Sequence, residues 1–386
     1  RWGKARPYEI FIIFEWIFTV MMFNVPDGSK TLQYAWVFVM YVLINAVCST
    51  MLGAADSVYL ARAFTTDNNR IKVMSVNGVV VMVSCIIFNI IVPQFIATIG
   101  TTKSGWFTLS MMMGAPLALI GILRFFLCKE ILTDAPVGIA EKAEEKAESK
   151  NQESQKLKLS DMLKLLAKNK YVFIVVGLML ITNVINGMGP ATTYYFKYMM
   201  GDIGLMSLAS LTSLITPLAL VFFPVLSRKF GTTKILQAGA GMGIVGMLIR
   251  TIGGTNMTTI IVGGAFSGLA VMPISMMINT YLIDCMDYGE WKTGVRIEGL
   301  IASVVNFSSK VGGAVASGLV GFIMGIAGYD GSLAEQSATA NMAIVGLYNW
   351  LPLVLFVVML VLAMMYKMDN HRAQMQADLK KKHEGQ

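Results

Sequence analysis

Ten long apolar stretches dominate this chain of 386 residues. They run approximately over residues 8–26, 32–60, 73–98, 106–128, 171–200, 205–228, 235–253, 258–283, 298–326 and 342–366. A bilayer core about 30 Å thick needs roughly 20 apolar residues in a helix. In lipid every backbone N–H and C=O must be bonded internally, so runs of this length read as helices rather than barrel strands. Charged residues make up only 14% of the chain, and the mean hydropathy is +0.63. Soluble domains carry about 25% charged residues, so a soluble enzyme and a disordered chain are both excluded. The fold class expected is an all-α membrane protein.

Lys and Arg orient the spans. With Arg1, Lys4 and Arg6 placed in the cytoplasm and the spans alternating, all but five of the 31 basic residues fall on the inner side. The exceptions are Lys30, Lys103, Lys197 and Arg250 outside, and Lys310 within a span. The net charge of +8 is therefore positive-inside topology, not a nucleic-acid footprint. Both ends are expected in the cytoplasm of an inner-membrane protein. No leader with a cleavage site precedes the first run. The opening on Arg1 rather than Met is what a piece of a longer protein would show.

One segment breaks the pattern. Residues 130–170 mix both charges with small polar residues and read as a solvated linker. Its last part, SDMLKLLAKN, reads as a short amphipathic helix at the membrane surface. The expected organisation is a helix bundle over 1–129, a central linker over 130–170, a six-helix bundle over 171–366 and a cytoplasmic tail over 367–386.

Several chemistries drop out. GxxxxGK[ST] is absent, so a nucleotide-driven pump is not indicated. The two His, His371 and His383, both lie in the tail, which leaves no nucleophile–His–acid arrangement within the spans. Four scattered Cys without a CxxC indicate neither a metal site nor a disulfide framework. No enzyme activity, metal or cofactor is expected.

Charges inside spans are costly and mark functional positions. Lys310 lies about 18 Å into its span at 1.5 Å per residue, among Ser308, Ser309, Gly312 and Gly313. Glu15 sits in the first span and Asp56 near the inner end of the second. Asp56 is a substrate-binding candidate, with helix capping or pairing to Arg62 as the plainer alternative. Asp284, Asp287, Glu290, Lys292, Arg296 and Glu298 form a dense cluster where one span meets the cytoplasm and the next begins. Alternating signs on two helix ends around a Gly-containing loop suggest a salt-bridge network that biases one of two rocking states. In LITNVINGMGPATTYYFKY, Gly187, Gly189 and Pro190 should break or kink the helix and let Asn183, Tyr194 and Tyr195 face a cavity. Amides that match hydroxyls, beside an aromatic face, are what a sugar requires. Asn306 and Asn279 are further polar residues in spans.

RWGKARPYEIF (1–11), ATTYYFKYMMGD (191–202), FFPVLSRKFGTTKIL (222–236), DCMDYGEWKTGVRIEGL (284–300), and IAGYD (326–330) followed by Gln336 resemble the glycoside–pentoside–hexuronide:cation symporters of the major facilitator superfamily. DYGEWKTGVRIEG is the most specific of these. The resemblance implies a major facilitator fold of twelve helices. Ten would be present here, helices 3–12, with helices 1 and 2 and their cation-coupling acids preceding Arg1. It implies sugar or glycoside symport coupled to sodium or protons, with no cofactor beyond the co-transported cation. It also implies a role for Lys310 in substrate and cation binding, with Glu15 a second coupling candidate from its place in a span. Two departures weaken a standard galactoside site. Leu52–Gly53–Ala54–Ala55 stands where relatives carry an acid, Pro and aromatics, and Asn77 stands where an Arg is common. A lipid or other non-sugar carrier on the same fold is the alternative, and a membrane sensor without flux a more distant one.

Overall fold

The computed structural model describes residues 6–53, 55–56, 67–100, 102–127, 165–295 and 298–384. Among these, every regular element is a helix. The chain divides into two compact units, Arg1–Ala147 and Glu148–Gln386. The division falls inside the segment that composition marks as a linker.

Unit 1 holds α1 (Phe11–Phe23), α2 (Lys30–Val42), α3 (Asp67–Thr98) and α4 (Lys103–Leu127). The Ser29 side chain accepts from the Leu32 N–H and so starts α2. A π-helical turn, Leu43–Cys48, extends α2 without ending it, and the apolar run continues to Gly53. Trp36 ties α2 to α1 by donating its indole N–H to the Met21 carbonyl at 2.9 Å. Phe23 and Trp106 stack with ring centroids 5.3 Å apart, closing α1 against α4.

Unit 2 begins with α5 (Lys170–Asn186), capped by the Asn169 side chain, and α6 (Gly189–Tyr198). The break between them is the one expected from Gly187, Gly189 and Pro190. Then follow α7 (Leu205–Ser210), α8 (Ile215–Phe230), α9 (Thr232–Gly253), α10 (Met257–Thr293), α11 (Glu298–Ile326), α12 (Ala338–Val345), α13 (Leu351–Met365) and α14 (Asp369–Glu384). A π-helical turn, Gly346–Trp350, joins α12 to α13.

Small residues set the closest approaches, as they do where helices pack in lipid. A Cβ on Gly246 of α9 would lie 2.6 Å from the Gly263 carbonyl oxygen of α10. A Cβ on Gly312 of α11 would lie 2.7 Å from Asn183 Cβ and 2.9 Å from the Leu180 carbonyl oxygen of α5. The buried face of α11 (Ile301, Val305, Ser308, Ala316, Val320) is thereby committed to packing.

Among the described residues, eight helices are long and apolar enough to cross a membrane. Two of the ten expected spans, 8–26 and 205–228, are not among them. The first is a 13-residue α-helix preceded by a 3-10 turn over Arg6–Ile10. The second is interrupted by a 3-10 turn over Leu211–Leu214. Its SLTSLITP sequence supplies hydroxyls that bond nearby carbonyls, such as Thr212 to Ala209 and Ser213 to Ser210.

Candidate functional site

The cluster near the end of α10 gathers buried charges. Asp284 is buried, and its carboxylate is held by the Arg372 guanidinium of α14 as a fork. Arg372 Nε donates to Oδ1 at 3.1 Å, and the terminal nitrogen Nη2 donates to Oδ2. The Tyr366 hydroxyl donates to Oδ2 at 3.3 Å. A buried carboxylate with a two-pronged cation and a hydroxyl has its lone pairs satisfied, which makes its burial tolerable. Edge-on contacts of Tyr366 with Tyr171 and Tyr281 enclose the group. Asp287 is half-buried, Glu290 is buried, and both are engaged with neighbours. Lys292 places its ammonium 4.5 Å from the centre of the Trp291 ring. Gly294 ends α10 at φ +76°, donating its N–H to the Glu290 carbonyl at 2.8 Å. A left-handed residue is needed at that helix end, which accounts for glycine in this motif. Arg296 lies outside the described residues. Glu298 opens α11, and its side chain also lies outside them.

The partner of Asp284 comes from a segment that composition alone reads as a tail. Residues Asp369–Glu384 form α14, and Met368, Met375 and Leu379 are buried against the bundle. The legible signal was the apolar spacing of seven and four residues in MDNHRAQMQADL.

Around mid-span in unit 2, Asn183 donates to the Met179 carbonyl at 2.8 Å and to Ser309 Oγ at 3.3 Å. Its amide thus joins α5 to α11 at the residue next to Lys310. Lys310 lies on another face of α11, exposed in unit 2. Ser303, Asn306, Ala314, Ser317 and Gly321 are also exposed and share its i, i+3, i+4 register. This polar and small stripe adjoins an apolar one bearing Phe322 and Ile326. Asn279 is exposed on α10.

At the other end of unit 2 the tyrosines cluster. Tyr194 meets Tyr329 edge-on at 5.0 Å, and the Tyr198 and Tyr329 hydroxyls lie 3.1 Å apart. Tyr195 is buried, donates to the Gly254 carbonyl at 3.0 Å, and stacks on Tyr348 at 4.0 Å. Arg250 lies over the opposite part of this pair, 3.6 Å from the Tyr348 ring centre, and donates to the Tyr348 carbonyl at 2.6 Å. Ring faces and one carbonyl thus support this arginine.

In unit 1, Glu15 accepts a hydrogen bond from Ser49 Oγ at 2.8 Å, just past the π-helical turn of α2. It borders a cavity of about 520 Å³ between α1, α3 and α4, whose walls include Trp16, Phe88, Val92, Trp106 and Met113. The Trp16 indole lies on Gly114, and its buried N–H has no hydrogen-bond partner. Asp56 is exposed and engaged with a neighbour. Among the described residues no group of three or more His, Cys, Asp or Glu is placed to hold a metal.

Residues 1–370 match the family described as MFS/sugar transport protein. The chain is 29% identical over 395 residues to the isoprimeverose transporter of Lactiplantibacillus pentosus, covering 99% of this chain and 78% of that protein. It is 31% identical over 189 residues to the raffinose carrier protein of Pediococcus pentosaceus, covering 47% of this chain and 28% of the carrier. It is 24% identical over 357 residues to the lactose permease of Lactobacillus delbrueckii subsp. bulgaricus, covering 88% of this chain and 54% of the permease. Together with its apolar helices, these matches establish a multi-pass, non-enzymatic membrane transporter that belongs to the major facilitator sugar-transport family.

Proposed function

We propose that this protein carries a sugar or glycoside across the cytoplasmic membrane by alternating access, in symport with sodium or a proton, with both ends of the chain on the cytoplasmic side. The observation that carries this reading is the polar stripe on α11, where Lys310 lies deep in a span beside Asn306, Ser303 and Ser317. Such a row is unfavourable against lipid and favourable along a water-filled path. Hydroxyl-rich solutes suit an ammonium and amides at that depth. Lys310 and Asn306 are the proposed substrate contacts, with Asp56 and Tyr194 as flanking contacts. Lys310 and, in unit 1, Glu15 are the proposed coupling residues. Asn183 and Tyr195, whose polar groups are taken up by Ser309 and Gly254, shape the site by packing. Asp287, Glu290, Lys292, Arg296 and Glu298 serve as the cytoplasmic gate.

A second reading, a carrier of a less polar solute, draws on the aromatic and aliphatic walls of the unit 1 cavity and on the apolar Leu52–Ala55 stretch. Counterflow in proteoliposomes decides between them. A panel of neutral disaccharides, pentosides and hexuronides is tested with imposed sodium or pH gradients. Sugar accumulation that collapses when one gradient is dissipated supports symport. Flux of none of these sugars, with flux of an amphiphile, supports the second reading.

A further inference from the structure

We propose that the C-terminal helix α14 is a strap on the transport unit, and that its Arg372 is a positioning residue for the gate. Arg372 acts through Asp284 to hold the end of α10 that carries Asp287, Glu290 and Lys292. This inference rests on the transporter reading above.

The need for a strap follows from length. Helix α10 has 37 residues, hence roughly 55 Å at 1.5 Å per residue, against a hydrocarbon core of about 30 Å. Its last turns project beyond the lipid and must find lateral support elsewhere. Four groups of contacts supply it. Arg372 forks onto both oxygens of Asp284, with Tyr366 as a third donor. Farther along α14, Asp378 accepts the Trp291 indole N–H at 3.0 Å. Between these, Met375 and Leu379 are buried. From the other side Asn169 donates to the Cys285 carbonyl at 2.7 Å.

The same first turn of α14 also grips α9. Asp369 accepts from the Thr233 N–H at 3.0 Å and from Thr232 Oγ1 at 2.7 Å, at the start of α9. Arg372 lies 3.8 Å from Asp369 as well as on Asp284. One arginine therefore faces two carboxylates, one capping α9 and one on α10, while the chain entering α14 comes directly from α13. The ends of α9, α10 and α13 are joined at a single point. If that point holds, the gate end of α10 moves with the whole unit when the transporter rocks. If it is released, α10 can tilt alone, and the gate residues lose register while the mid-span stripe on α11 is undisturbed. The planar guanidinium meets both oxygens of Asp284 in parallel, a match that a compact ammonium makes less well.

Cys285 offers a readout independent of transport. It is buried next to Asp284, in the same apolar cluster as Met375 and Leu379 of α14. In full-length protein with Cys48, Cys85 and Cys128 replaced by Ala, N-ethylmaleimide labelling of Cys285 is timed for the parent, Arg372→Ala, Arg372→Lys, Asp378→Asn, Asp284→Ala and the Asp284→Ala/Arg372→Ala double variant. Sugar counterflow and equilibrium substrate binding are measured on the same preparations. Arg372→Ala should label at least tenfold faster and turn over at least tenfold slower, with substrate affinity within twofold of the parent. Arg372→Lys should fall between, and Asp378→Asn should label and slow by about threefold. The double variant should be no slower than Asp284→Ala, since both act through one contact. If Arg372→Ala does not accumulate, the Lys and Asn variants carry the test. Parent-like labelling in both would overturn the strap. Faster labelling with unchanged turnover, or a loss of affinity equal to the loss of turnover, would overturn the positioning role. Absence of counterflow by the parent would refute the transport reading alone, because the labelling arm still decides whether α14 protects α10.

Discussion

Two adjacent glycines on α11 should respond in opposite directions to the same substitution. Gly312 faces α5, where an added Cβ would meet Asn183 Cβ at 2.7 Å and the Leu180 carbonyl oxygen at 2.9 Å. Ordinary contacts are about 3.5–4.0 Å, so the new methyl overlaps its neighbours by roughly 1 Å. One of those neighbours is helical backbone and cannot rotate away. Overpacking of this kind costs about 1–3 kcal/mol. Gly313, one residue on, has nothing within 4 Å of an added Cβ. There the change to Ala gains only the helix-propensity difference, about 1 kcal/mol. That gain applies equally to Gly312, so Gly312→Ala should net about 0–2 kcal/mol of destabilisation and Gly313→Ala about 1 kcal/mol of stabilisation. The separation between the two is about 1–3 kcal/mol. Purified variants in one detergent, melted side by side by tryptophan fluorescence, should bracket the parent. Equal melting of Gly312→Ala and Gly313→Ala would show that α11 does not meet α5 through Gly312, and the helix rotation that exposes Lys310 would lose its basis.

Other outcomes follow from the placed charges. Lys310→Ala should abolish gradient-driven uptake while the protein is made at least as well, and Lys310→Arg should rescue only weakly; near-normal coupled uptake by the Ala variant would reduce Lys310 to a structural residue. Asp287→Ala should slow counterflow more than it weakens equilibrium binding, since the residue lies at the end of α10; a binding loss with unchanged exchange between states would remove it from the gate. Arg250→Lys should destabilise the protein by about 1–2 kcal/mol, because an ammonium keeps the charge but loses planar stacking on Tyr348; a melting temperature equal to the parent's would show that stacking contributes nothing.

The membrane class, the helical architecture and most span boundaries were legible in the sequence. The reason is physical: lipid forces long apolar runs to satisfy their own backbone, so one-dimensional hydropathy suffices. The α5–α6 break at Gly187–Pro190 was legible for a local reason, since Gly frees and Pro restricts the backbone where each stands, whereas α10 runs ten residues past the expected 283 before Gly294 ends it. Among the described residues, eight of the ten expected spans are helices long and apolar enough to cross a membrane. Apolar composition over 205–228 could not show that its hydroxyls would turn the backbone into a 3-10 segment. Pairings were less legible still. Asp284 stood in a visible charge cluster, yet its partner Arg372 is 88 residues away, in the segment expected as a cytoplasmic tail. Asn183 and Tyr195 are polar residues in a span by sequence, and only the packing of α5 and α6 reveals that they bond to Ser309 and the Gly254 carbonyl. Which face of α11 is buried was likewise a tertiary decision: Ser309 and Lys310 are neighbours in sequence, and the contact of Gly312 with Leu180 and Asn183 is what turns one toward α5 and leaves the other in the polar stripe. Periodicity and hydropathy depend on a residue's own neighbours in the chain, whereas a hydrogen-bond partner depends on which helix arrives beside it.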